Sequence, residues 1–263
     1  MYYWKEYYGH KPDIMGKRIK FDNTIYTFDI ETSSYLILNN KQISACDYSK
    51  LNQKDKDECI FMSNMYIWMF SINDKVYYGR TWSELKNFLN RIEFWGTDVK
   101  KYVFVHNLSY EFQFMRNIFQ FKNVFARKSR KPLKCELSDM NFEFRCSYMM
   151  TNSPLEKLSD IYKLDIKKLV GNLDYNKIRN SKTKLTNEEL MYCEYDCLVV
   201  YKYILKELET YKTLRGLPLT STGHVRKELK EEVMTDYSYR NKVRRSINID
   251  GHIYNLLIRC ICW

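Results

Sequence analysis

The sequence predicts an α/β fold, one mixed central sheet flanked by helices, with a helical tail after it. Three observations lead there. Strand-like runs arrive early and in succession, helices with capping-box starts are interleaved with them, and residues 220–249 turn charged and helical.

Residues 1–23 are aromatic and basic without clear periodicity, and read as an N-terminal extension packed on the domain. Residues 24–30 are β-branched and aromatic, the pattern of a buried strand. Residues 39–56 are polar, rich in Lys and Asp, and are expected to form a loop. An apolar run at 65–72 gives a second strand, and Asn73-Asp74 turns it into a third at 75–79, a hairpin. Thr81 and Glu84 have capping-box spacing, with Leu85, Phe88, Leu89 and Ile92 following at helical intervals. Residues 102–105 form an interior strand that runs into His106-Asn107-Leu108 and a helix carrying Phe112, Met115 and Ile118. Pieces at 123–127 and 142–147 extend the sheet. A second capping box, Thr186 with Glu189, opens a helix through Leu190, Cys193, Cys197, Val200 and Tyr201.

Composition bounds the function classes. The 263 residues are 45% hydrophobic and 29% charged, which excludes wholesale disorder. No apolar run reaches the roughly 18–20 residues of a membrane span, so no membrane association is expected. The formal charge is +11, from 43 Lys and Arg against 32 Asp and Glu. Such an excess favours polyanionic partners through counterion release, although a Lys-rich composition alone also produces it. The eight cysteines form no C-x-x-C pair and no zinc-like pattern with the four His. They read as reduced thiols, which points to the cytoplasm.

Chemistry concentrates at three places. Asp29 and Glu31 flank Ile30 at the predicted end of the first strand, so period two puts both carboxylates on one face. Paired acids repel and raise each other's pKa unless cations neutralise them, and oxygen ligands suit Mg²⁺ or Mn²⁺. Alone, the pair fits either a metal site or a solvated strand terminus. Glu111 lies at the strand-to-helix junction that begins with His106. Tyr192 and Asp196, four apart on the last predicted helix, share a face, an arrangement common to surface contacts and functional pairs. Glu194 falls on another face and is expected to be solvated.

Taken together and in this order, the three resemble the exonuclease domain of family-B DNA polymerases, specifically the protein-primed phage branch. Asp29-Ile30-Glu31-Thr32 matches its D-x-E-T motif, and Tyr192 with Asp196 its Y-x-x-x-D motif. His106, Asn107, Leu108 and Tyr110 match H-N-L-x-(F/Y)-D, with Glu111 where Asp is usual. Asp174, Tyr175, Lys177 and Arg179 resemble the branch's D-Y-x-K-x-R segment.

The resemblance implies an RNase H-like (DnaQ-like) fold over residues 24–210 and a two-metal 3′–5′ exonuclease. Two Mg²⁺ or Mn²⁺ ions would sit among Asp29, Glu31, Glu111 and Asp196, with Tyr192 orienting the attacking water. Thr32, His106, Asn107, Tyr110 and Tyr175 would hold the 3′ end of single-stranded DNA, Tyr110 by stacking. Three departures accompany the match. Glu111 is one methylene longer than Asp, Pro154 replaces a hydroxyl residue, and Val170 stands where relatives carry a catalytic Lys, leaving Lys168 as the candidate.

The palm motifs D-x-x-S-L-Y-P and Y-x-D-T-D do not occur in the sequence. Residues 211–263 resemble a helical connector leading to such a palm. The expectation is therefore the proofreading part of a protein-primed polymerase, which incorporates no nucleotide by itself and works with a palm and a terminal (priming) protein supplied elsewhere. Two rivals are a free-standing RNase H-like exonuclease acting on RNA or short oligonucleotides, and an inactive remnant that binds single strands.

Overall fold

The computed structural model describes residues 1–96, 98–169, 174 and 176–235. The chain divides into two units, Met1–Thr220 and Ser221–Trp263.

Ten strands form one sheet in the first unit. They are β1 (Tyr2–Tyr3), β2 (Ile14–Met15), β3 (Phe21–Leu38), β4 (Lys41–Ser44), β5 (Ile60–Ile72), β6 (Lys75–Gly79), β7 (Lys100–Val105), β8 (Phe121–Lys128), β9 (Lys131–Leu137) and β10 (Phe142–Cys146). The order is β1-β6-β5-β3-β7-β10-β9-β8, with β2 and β4 also pairing with β3. The β1–β6, β3–β7 and β7–β10 pairs are parallel and the others antiparallel, so the sheet is mixed as expected.

The helices are α1 (Gln53–Glu58), α2 (Trp82–Trp95), α3 (Leu108–Met115), α4 (Ser147–Thr151), α5 (Leu155–Tyr162) and α6 (Asn187–Tyr211). Both expected capping boxes are formed, Thr81 with Glu84 and Thr186 with Glu189. Each satisfies backbone N–H groups that the first helical turn would otherwise leave open. In the second unit α7 (Ser221–Thr235) is the described part of the helical tail.

Alternation along β3 sets the layers. Phe28 and Ile30 enter one core with Phe70, Phe88, Val105 and Phe144, on the side of α2 and α3. Ile25 packs with Phe104, Leu158, Tyr203 and Ile204 under α5 and α6. Tyr66, Ile67, Met69, Cys193 and Cys197 make a third cluster. Each large apolar side chain so buried contributes about 1.5–3 kcal/mol. The extension is anchored too, with Trp4 and Tyr7 buried in the first core. Among the described residues no helix is long and apolar enough to cross a membrane.

Four local expectations need correction. The first strand does not stop at Glu31 but continues to Leu38, with a register shift against β5 between Glu31 and Thr32. The acids are therefore mid-strand, beside a bulge, a device that re-aims side chains next to functional sites. The polar stretch 39–56 holds β4, a 3₁₀ turn (Ala45–Lys50) opened by a Ser44 cap, and the start of α1, opened by an Asn52 cap. Finally, β9 completes an unexpected hairpin with β8, and Ser147 opens α4 instead of extending β10.

Candidate active site

Strand alternation and one helix face bring the acids together. Thr27 lies against α6, donating from Oγ1 to the Cys197 carbonyl at 3.2 Å. Two and four residues on, Asp29 and Glu31 lie on the same face, opposite the buried Ile30. Cys193 and Cys197 fix α6 against the sheet, and Asp196 is buried between them and the strand. Asp29, Glu31 and Asp196 each offer a carboxylate oxygen, all within 4.8 Å of one another.

Glu111 arrives from the first turn of α3, whose entry is set by Asn107 in the left-handed conformation at φ 70°. It is buried and is held beside Asp29 by a side-chain hydrogen bond. It stands outside the tight group of three. Lys168 donates from Nζ to Asp196 Oδ2 at 3.1 Å and lies 5.2 Å from the Tyr192 ring centre. A cleft of about 210 Å³ exposes these groups, with His106 and Tyr110 also in its wall.

The electrostatics follow from four acids sharing one cation in a partly dry cleft. Burial, then the Asp196 carboxylate, pushes Asp29 up to about 7. Burial, then Asp29 and Asp196, pushes Glu31 up to about 8. Burial, then the neighbouring Asp29, holds Glu111 well above the usual carboxylate range. Burial raises Asp196 as well, against the opposing pull of Lys168. For Lys168, burial disfavours the ammonium, but Asp196 outweighs it and keeps the side chain cationic. Burial and Asp196 raise the Tyr192 phenol, which stays protonated at neutral pH.

The remaining expected residues divide by role. His106 shares a hydrogen bond from Nδ1 with Ser147 Oγ at 3.1 Å, and burial, then Lys168, lowers its pKa to about 4. It is neutral at pH 7. Thr32 and Tyr110 are joined hydroxyl to hydroxyl at the mouth, where Tyr110 is exposed and its ring packs on Phe114. Asn107 is exposed. Tyr175 and Val170 lie outside the described residues. Glu194 is not simply solvated, since it accepts from the Met1 ammonium at 2.8 Å.

Arg179 is the residue whose role the motif did not disclose. It is 4% exposed, and its guanidinium spans Glu189 at 2.6 Å and the Asp174 carbonyl at 2.7 Å. Its backbone N–H donates to Ser33 Oγ at 3.0 Å, one residue past the bulge. Arg80 joins in from the hairpin side, donating to the Asn180 and Thr183 carbonyls. The two arginines thus staple the segment before α6 onto the sheet. Only the presence of an Arg two residues after Lys177 signalled this.

The donor set fits hard divalent cations. Asp196 Oδ1 and Glu111 Oε2 are buried with no hydrogen-bond partner among the described residues, an arrangement that costs free energy unless a cation or proton meets it.

No family model and no curated protein matches the sequence. Solved structures do. Phi29 DNA polymerase complexed with primer-template DNA and incoming nucleotides aligns at TM-score 0.57 and 15% identity, over 82% of this chain and 35% of that chain. Phi29 DNA polymerase complexed with single-stranded DNA aligns at 0.55 and 16%, over 81% and 35%. The chain spans about a third of the length of those polymerase chains, and it has the fold of that part. The expected resemblance is borne out at the level of the fold, which is compatible with the RNase H-like class.

Proposed function

We propose that residues 24–210 are a 3′–5′ exodeoxyribonuclease that trims the 3′ end of single-stranded DNA, the proofreading module of a protein-primed polymerase. The observation that carries this reading is the convergence of Asp29, Glu31 and Asp196 within 4.8 Å in a cleft also reached by Glu111, Lys168 and Tyr192.

In this reading Asp29, Glu31 and Asp196 would hold two Mg²⁺ or Mn²⁺ ions, with Glu111 as a further carboxylate beside Asp29. Bound there, the ions supply Lewis-acid activation of water and neutralise charge on the leaving 3′-oxygen. Tyr192, protonated at neutral pH, orients the attacking water by hydrogen bonding. Lys168 favours the ionised form of Asp196 against the effect of burial and places a positive charge near the developing negative charge of the phosphodiester. Neutral His106 offers its buried Nε2, which has no hydrogen-bond partner among the described residues, at the cleft wall to the strand. Thr32 and Tyr110 form the grip at the mouth, where the exposed Tyr110 ring gives a base a stacking face. Asn107 and Tyr175 complete the strand-binding set. Positioning of this kind supplies much of the rate of phosphodiester cleavage.

The polymerising palm and a priming protein belong to this reading as partners, and the cytoplasm as its place, in keeping with the free thiols. Residues 1–23 serve as an extension and 211–263 as the connector.

A second reading has one observation in its favour. Glu111 hydrogen-bonds Asp29 instead of joining the three-carboxylate group, as a remnant that binds strands without cutting them would allow.

The test uses 5′-labelled single strands of DNA and of RNA with Mn²⁺. Stepwise shortening of DNA from its 3′ end supports the exonuclease reading. Retention without cleavage supports the remnant, and a preference for RNA supports a free-standing RNase H-like enzyme.

A further inference from the structure

The hairpin β8–β9 carries a charge pattern that the cleft does not use. Between Phe121 and Lys131 stand Lys122, Arg127, Lys128, Arg130 and Lys131, with no acidic residue among them. All five are exposed, and none forms an ion pair among the described residues. By contrast, Lys100 and Lys134 nearby are paired with Glu136 and Glu143. Val124 and Phe125, 45% and 55% exposed, lie on the same strand.

Topology decides which way the hairpin points. β3, β7 and β10 run parallel, and the carboxyl ends of β7 and β10, which lead into His106 and Ser147, lie level with Asp29 midway along β3. β9 runs antiparallel to β10 and β8 antiparallel to β9, so the turn at Ser129 and Arg130 lies at the carboxyl end of β10. The lateral offset from β3 to β8 is four strand spacings, roughly 19 Å.

We infer that the β8–β9 hairpin is a second nucleic-acid contact, which grips the phosphate backbone of DNA whose 3′ end is in the cleft. The inference rests on the reading of the cleft as a DNA-processing site. Five uncompensated cations match a polyanion, and each phosphate neutralised releases counterions. Phe125 adds a stacking face beside them. Charges on an edge strand also guard against edge-to-edge pairing. Such a guard needs no single sign of charge, whereas a phosphate track does.

The experiment measures anisotropy of a labelled single strand bound to the whole chain in EDTA, where nothing is cut, across a salt series. The variant is K122Q/R127Q/K128Q/R130Q/K131Q, with its melting curve as the folding control. The slope of log affinity against log salt is expected to shrink by about 0.7 for each lost contact, and R127K/R130K is expected to retain the parent slope. Should the fivefold variant not fold, R130Q/K131Q in the turn reads the same change, by about 1.4 at most. An unchanged slope overturns the inference, as does self-association of the variant with unchanged DNA affinity. Equal DNA affinity with lost binding to phosphatidylserine vesicles would assign the hairpin to a lipid surface instead. Mn²⁺-dependent cleavage of a trinucleotide needs only the cleft. Its absence in the parent would fail the nuclease reading while the salt slopes still decide the hairpin.

Discussion

Lys168 and Asp196, 28 residues apart, meet through a 3.1 Å hydrogen bond that ties the segment before α6 to the acidic face of that helix. Lys168 is the one cation this close to the carboxylate group among the described residues, and it stands two positions before Val170, where the related motif has its Lys.

Lys168→Met is expected to lower turnover about 100-fold with little effect on strand affinity, since an aimed charge acts mainly in the transition state. Lys168→Arg should recover part of it. Single-turnover cleavage rates at saturating protein decide this, and an unchanged rate for Lys168→Met would remove Lys168 from the site.

Glu111→Asp is expected to keep or raise activity. The shorter arm gives up its hydrogen bond to Asp29 and leaves that carboxylate free for a cation. A large loss of cleavage would mean that the site is built around the longer side chain.

Asp29 and Glu31 have pKa values raised to about 7 and about 8, against roughly 4 in an unfolded chain. Acids raised in this way bind more protons folded than unfolded, so their contribution is present at low pH and is lost as pH rises from about 4 to 8. Divalent ions should reverse that loss. Thermal melts with and without Mn²⁺ are expected to separate clearly at pH 8 and to converge near pH 5. Equal Mn²⁺ stabilisation at both would contradict the assignment.

Glu143 behaves oppositely. Burial works against its charge, but Arg145 and Lys100 hold it down to about 2. Its contribution is present above the ordinary glutamate range and is lost as pH falls from about 4.5 toward 2. Glu143→Gln leaves the buried Arg145 without its carboxylate partner, while Lys100 keeps Glu136, so a loss of about 3 kcal/mol at pH 7 is expected. The variant should also show a flatter acid limb in urea-unfolding free energies measured across pH, and a parallel limb would place the acid sensitivity elsewhere.

What could be read from the sequence was whatever local chemistry encodes. Thr81 with Glu84 and Thr186 with Glu189 announce their helices because the capping box is complete within four residues. Period alone put Asp29 with Glu31, and Tyr192 with Asp196, on shared faces, whereas their convergence followed only from the family resemblance. The run from Thr32 to Ser34 hid the continuation of β3, since polar residues beside a bulge resemble a strand end. Pro132 and Lys134 hid β9, whose pairing is supplied by β8 and β10. The Glu111–Asp29 hydrogen bond and the Arg179 staple join distant segments, and no spacing within either segment encodes them.

The most direct measurement is the number of Mn²⁺ ions taken up per chain at pH 8, read by electron paramagnetic resonance of free against bound ion, for the parent and Asp29→Ala. Two ions per parent chain and loss of that uptake in the folded variant are expected. No uptake by the parent, or the same uptake after Asp29 is removed, would contradict a metal-holding carboxylate centre.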